Sequence, residues 1–373
     1  MQTKLLRELL RQEIDDRCEA GLLIRPEVLV LINDCREELK QLSANELELL
    51  FLSALSAGYE ATYWAERAYQ GGVPVDEILL KKLKSDNFRT RATTVAILAR
   101  FGERFVRPII GMLTDNYPLV RVAAIKALEQ LRPDGAWRKH LVYECYVPAG
   151  RFIMGDDQGL KDEKPAHEIY LEAFYIGRYP VTNTEYKRYK DDIGRDFHAP
   201  EGRGNKGDHP VENVSWYDAR GYAEWAGMWL PTEAEWEKGA SWDARTGEKR
   251  KYPWGNEFDK TRCNTEESGI NDTTPVGQYS PEGDSPCGCA DMAGNVWEWT
   301  NSLYKDYPYR ADDGREDTIS SGDRVLRGGA YVNRRFARTT CRNRDNPNNR
   351  GRHFGFRVCM TAPASARELF QCI

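Results

Sequence analysis

The chain has 373 residues, 40% hydrophobic and 30% charged, with a formal net charge of −5. That length exceeds what one core ordinarily organises, so two domains are expected. The composition is ordinary for a soluble protein, and the overall charge argues neither for nor against nucleic acid.

The N-terminal stretch MQTKLLRELLRQEIDD is charged throughout and lacks the apolar core of a signal peptide. The longest apolar runs, such as residues 28–32, are too short to cross a bilayer. A cytoplasmic location and no membrane partner are therefore expected. Nine cysteines lie scattered from Cys18 to Cys372, which fits free thiols in a reducing compartment. Cys287-Gly-Cys289 has the wrong spacing for zinc, and no second cysteine or histidine pair accompanies it.

Residues 1–140 read as helices only. Leu5, Leu6, Leu9, Leu10 and Ile14 share one helical face. A weak repeat of about 30 residues follows: SDNFRTRATTVAILARFG aligns with TDNYPLVRVAAIKALEQL, setting Arg91 on Arg121, Val95 on Ile125 and Leu98 on Leu128. Each unit pairs a polar turn with an apolar helix, which must stack to bury its face. The block resembles HEAT repeats, with a plain helical bundle as the alternative. Either is an interaction module, expected to hold a second protein.

Around Arg132-Pro-Asp-Gly135 the character changes, and from Tyr146 Gly, Trp, Asn and Pro become frequent. One helix is predicted from Trp216 to Trp225. A second starts at Thr232, with Glu235 completing a capping box. The remainder reads as short strands and long ordered loops.

Eight motifs then follow in order. They are Val147-Pro-Ala-Gly-Arg-Phe-Ile-Met-Gly155, Tyr179-Pro-Val-Thr-Asn-Thr-Glu-Tyr186, His209-Pro-Val-Glu-Asn-Val-Ser-Trp216 and Leu230-Pro-Thr-Glu-Ala-Glu-Trp-Glu237. After them come Tyr252-Pro-Trp-Gly-Asn256, Asp291-Met-Ala-Gly-Asn-Val-Trp-Glu-Trp299, Arg324-Val-Leu-Arg-Gly-Gly329 and Gly355-Phe-Arg357. The set resembles the formylglycine-generating-enzyme (sulfatase-modifying-factor) superfamily. Together with the helical-repeat block read over 1–140, that resemblance implies an α+β chain, whose second domain over 147–373 is C-type lectin-like, low in regular structure and carrying a small twisted antiparallel sheet. The tryptophans are read as rigid wedges pinning irregular backbone. Arg327 and Arg357 are read as binding carbonyls inside the domain.

The resemblance also implies calcium. Asp291 and Glu298 would give carboxylate oxygens, and Gly294 and Val296 backbone carbonyls, towards the six to eight oxygens calcium takes. A second calcium maps more loosely onto Asn264, Thr265 and Ile270, with Ser268 where a carboxylate would help. Copper is not expected. In the family two cysteines hold it, and here Asn333 and Arg338 stand at those positions while Cys341 lies further on. The related iron-dependent sulfoxide synthases use a histidine triad, but His140, His167, His198, His209 and His353 are not clustered in sequence. On these grounds no catalysis is expected. An enzyme of unrecognised chemistry and an unvaried scaffold remain the alternatives.

Residues 324–357 hold ten arginines, no lysine and one acid, Asp345, a local charge of +9. Family-matching residues alternate there with a miscellany: Tyr331, Val332, Asn333, Arg334, Arg335, Phe336, Arg338, then Gly351, Arg352 and His353. This resembles the variable region of diversity-generating-retroelement proteins, in which loops over a fixed core carry the ligand face. The miscellany is accordingly the expected ligand site. Its arginines favour an acidic protein ligand, and the chain's overall acidity argues against nucleic acid.

Overall fold

The computed structural model describes residues 2–39, 41–197, 206–333 and 337–362, with side chains from residue 8 onward. Contacts divide the chain between His140 and Leu141. Eight α-helices make up the first unit among the described residues: α1 (Gln2–Ala20), α2 (Pro26–Asp34), α3 (Ala44–Ala57), α4 (Ala61–Gln70), α5 (Val75–Lys82), α6 (Phe88–Arg100), α7 (Val106–Gly111) and α8 (Pro118–Leu131). No helix among the described residues is long and apolar enough to cross a membrane.

The period of thirty has a physical counterpart. Arg91 donates from Nη1 to the carbonyl of Ser85 at 2.7 Å, and Arg121 donates from Nη1 to that of Asp115 at 3.0 Å. Each arginine thus closes the turn six residues before it. Val95, Leu98, Ile125 and Leu128 are fully buried, so both helices present the same apolar positions inward. Arg91 also grips Asp115 through two bonds of 2.8 and 2.9 Å, tying one repeat to the next.

In the second unit, β1 (Glu144–Val147), β2 (Gly150–Met154), β3 (His167–Leu171) and β4 (Phe174–Gly177) precede α9 (Asn183–Asp192), α10 (Trp216–Trp225) and α11 (Glu233–Ser241). The short pair β5 (Trp242–Asp243) and β6 (Glu248–Lys249) follows. After a long loop come β7 (Trp297–Leu303), β8 (Arg324–Arg327), β9 (Arg342–Asp345), β10 (Phe354–Phe356) and β11 (Cys359–Thr361). The central sheet runs β10-β7-β8-β9, and a second sheet runs β1-β4-β11.

Several expectations are corrected. The central sheet is mixed, because β10 pairs with β7 in parallel. The unit opens with β1 at Glu144, before residue 147, and the expected end at 373 lies outside the described residues. Helix α9 is an element that the sequence pattern does not signal. Its residues are mostly polar, and its inward face is carried by Tyr186 and Tyr189 instead of aliphatics. Helices α9, α10 and α11 all start with a capping box, on Thr182, Ser215 and Thr232.

Indoles pin the irregular backbone as expected. Trp216 donates to the Thr300 carbonyl at 2.9 Å and Trp299 to that of Val214 at 3.0 Å, both rings fully buried. Buried ion pairs complete the core. Arg342 forks onto Glu233 at 2.6 and 3.0 Å, and Arg327 pairs with Glu237 while donating to the carbonyls of Thr339, Thr340 and Cys341. Breaking such a pair from one side typically costs about 3–5 kcal/mol, so these contacts fix loop positions strongly.

Candidate functional site

Trp297 opens β7 and joins two segments that are distant in sequence. Its backbone N–H donates to the His353 carbonyl at 2.8 Å, and its indole Nε1 donates to Asn333 Oδ1 at 2.7 Å. A third segment arrives through Glu266, whose N–H reaches the Asn333 carbonyl. Behind them, Asn295 takes the Asn264 carbonyl at 2.7 Å and gives its own carbonyl to the Tyr331 N–H at 3.1 Å. Gly294 makes this approach possible: it sits at φ +87°, and a Cβ there would lie 2.1 Å from the Asn264 carbonyl oxygen.

The expected ligand residues divide into two groups. Val332 is 44% exposed, Arg352 is exposed, and Asn333 and His353 are partly so. Burial lowers the proton affinity of His353. Tyr331, by contrast, is buried at 3% exposure and belongs to the core, a correction to the expectation. Arg338 is also corrected. Its Nη2 lies 2.6 Å from Glu163, a fully buried carboxylate that needs a counter-ion. Gly351 holds the Asn213 N–H with its carbonyl, so it shapes the loop. Arg334, Arg335 and Phe336 lie outside the described residues.

Much of the local charge of +9 is matched by carboxylates elsewhere in the fold. Arg324 caps the carbonyls of Asn301, Asp317 and Ser320, while Arg327, Arg338, Arg342 and Arg357 hold buried carboxylates. Arg350 binds Asp218 at 2.8 Å, and Arg344 lies 3.7 Å from Asp323. Arg352 alone among the described arginines of this stretch pairs with no described residue.

Neither calcium set fits as expected. Glu298 is fully buried, and both of its oxygens face Arg357, at 2.6 Å from Nε and 2.7 Å from Nη2. Trp236 Nε1 adds a bond of 2.8 Å. The guanidinium also donates to the carbonyls of Gly177, Arg178 and Ala290. The protein thus sets its own cation against one of the two carboxylates that the resemblance implied for a metal. Asp291 instead accepts from the Gly277 N–H at 2.6 Å, and burial pushes its carboxyl up to about 6. At the second set, the Ser268 hydroxyl lies 3.0 Å from Asn264 Oδ1 and 2.7 Å from the Thr265 carbonyl. Thr265 Oγ1 is buried without a partner, but one hydroxyl is a weak ligand without a carboxylate. Ile270 is exposed.

A copper pair does not fit either. Asn333 is held by Trp297 and Arg338 by Glu163, and Cys341 is fully buried with its thiol pushed up to about 12, chiefly by burial. His167 binds the Pro165 carbonyl and His209 binds Thr273. Among the described residues no group of three or more His, Cys, Asp or Glu is placed to hold a metal. Sequence reasoning missed Trp297 as organiser and Glu163 as counter-ion. The first was visible inside the Asp291–Trp299 motif, but the second had no local signal.

The family described as the sulfatase-modifying factor enzyme 1-like domain matches residues 134–362. Hercynine oxygenase of Mycolicibacterium smegmatis is 35% identical over 57% of this chain and 60% of its own length. The chain therefore spans about three fifths of that relative. Formylglycine-generating enzyme of Bos taurus is 31% identical over 57% of this chain and 72% of its own. Among solved structures, PvdO from Pseudomonas aeruginosa has a TM-score of 0.50 at 28% identity, covering 58% of this chain and 94% of that one. Treponema denticola variable protein 1 has a TM-score of 0.47 at 21% identity, covering 59% and 95%. The expectation of no catalysis is overturned by these relatives, which carry enzyme names.

Proposed function

The chain belongs to the sulfatase-modifying factor enzyme 1-like domain family, and from that premise we propose that it binds an acidic protein segment on the face organised by Trp297. The observation that supports this reading is the double grip of Trp297, which holds Asn333 and His353 on one surface. Arg352 stands exposed beside them without a described partner, and Val332 adds an exposed apolar contact. A guanidinium fork matches a carboxylate in two parallel hydrogen bonds. One unpaired arginine among the described residues of 324–357, on a chain of net charge −5, is too little for a phosphate track, so a nucleic acid is disfavoured. The helical unit would hold a second protein. Retroelement diversification fits Val332, Asn333, Arg352 and His353, which reach the surface, and does not fit Tyr331 or Arg338. A near-copy of the coding stretch for 324–357 beside a reverse-transcriptase gene would test it.

The relatives' names favour a second reading, in which the same face also turns its ligand over. Fluorescence polarisation with labelled acidic peptides and their amidated counterparts tests the first reading, and mass spectrometry of the recovered peptides tests the second. Binding confined to the acidic set should weaken about tenfold or more in Arg352→Ala, the effect of a well-placed interface arginine. It should be unchanged in Arg310→Ala, a change at an exposed arginine. Equal affinity of wild type and Arg352→Ala would remove this face as the site.

A further inference from the structure

A second feature lies in the other sheet's neighbourhood. Cys287 and Cys289 place their sulfurs 3.4 Å apart, at van der Waals contact. Gly288 between them sits at φ +90°, a left-handed turn that a side chain would strain, and its Cβ position faces Cys145 Sγ at 3.7 Å. Ser285 organises the pair: its hydroxyl accepts the Cys289 N–H at 3.1 Å and lies 3.2 Å from Cys287 Sγ. The two thiols differ in access. Cys289 is fully buried in the cluster that also holds Cys145 and Cys359. Cys287 is half-buried and lines a cleft of about 480 Å³, together with Tyr146, Pro148, Trp242, Arg245 and Asp284. A core packing role explains each cysteine alone, but not two sulfurs in contact beside a cleft, with the Cys287 thiol donating to the Gly239 carbonyl at 3.0 Å.

We propose that Cys287 and Cys289 form a dithiol site that exchanges with a small disulfide entering this cleft. The Cys287 thiol releases to solvent the proton it donates to the Gly239 carbonyl, and its sulfur attacks one sulfur of RSSR. The Cys287–S bond forms, the RS–SR bond breaks, and RS⁻ leaves and is protonated. Cys289 then gives up its proton and attacks the Cys287 sulfur, displacing the second RS⁻, which takes up a proton to leave as RSH. The protein loses two protons and two electrons, and RSSR becomes two RSH. Cys287 is the entry residue because it alone of the two lines the cleft, and Cys289 resolves because it is in contact and shielded. All eight cysteines among the described residues are free thiols, so the reduced state is the one described.

The test incubates the full chain with oxidised glutathione, alkylates the remaining thiols and maps peptides by mass spectrometry. Wild type should yield the peptide containing 287–289 two hydrogens lighter and unalkylated. Cys289→Ser should trap a glutathione adduct on Cys287, and Cys287→Ser should show none at Cys289. Should Cys289→Ser fold poorly, the wild-type mass loss still decides. Alkylation of both Cys287 and Cys289 in wild type, while the half-exposed Cys18 and Cys35 take up glutathione, would overturn the proposal.

Discussion

Replacing Arg357 with Met should unfold the second unit's scaffold more readily than almost any surface change. The side chain is fully buried and makes two bonds to Glu298 and three to the carbonyls of Gly177, Arg178 and Ala290. Methionine fills comparable space but leaves Glu298 charged, buried and served only by the Trp236 indole. One-sided loss of a buried pair costs about 3–5 kcal/mol, against a whole-domain stability of about 5–15 kcal/mol. Urea unfolding followed by tryptophan fluorescence reports on this unit, because eight of the ten tryptophans lie after residue 140. The double change Glu298→Leu with Arg357→Met removes both charges and should recover a large part of the loss, since an apolar pair of similar volume often matches an ion pair. A single-variant loss below about 1 kcal/mol, or a double variant worse than the sum of the singles, would refute the reasoning.

Chelator and added calcium should each leave the melting temperature unchanged, because Arg357 holds both Glu298 oxygens and the Ser268 hydroxyl lies against Asn264 Oδ1; a chelator-induced fall would restore the calcium sites. Asp291→Asn should flatten part of the pH profile. The folded pKa is raised to about 6, so this carboxyl's contribution is complete below its unfolded value near 4 and is lost as pH rises through 6. The variant should therefore gain on wild type between those limits, by on the order of 1–3 kcal/mol at pH 7, read from paired thermal melts. Thr232→Ala removes the cap of α11 and should cost about 1 kcal/mol in the same urea assay.

The sequence disclosed most where periodicity and capping agree. Helix α10 runs from Trp216 to Trp225 as its apolar spacing predicts, and α11 begins after Thr232. The thirty-residue repeat was legible because identical residue types do identical work at Arg91 and Arg121. Helix α9 was not, since two tyrosines in a polar string carry little periodic signal. The candidate site was half legible. Val332, Asn333, Arg352 and His353 reach or flank the surface, but Tyr331 and Arg338 turn inward. Nothing adjacent in sequence announces Glu163, some 175 residues before its arginine, and a metal ligand set cannot be told from an ion pair until Glu298 and Arg357 are seen together.

The inward arginines have a consequence for how this segment can drift. Positions 327, 342 and 357 each close a circuit of buried charge, so a single nucleotide change there is paid in lost fold. Positions 332 and 352 close none, and their codons are free to wander without disturbing expression. A deep mutational scan selecting only for abundance should thus print a barcode along 324–357, with intolerant bars at the buried arginines and permissive gaps at 332 and 352. Selection for ligand capture would darken those same gaps and leave the bars where they were.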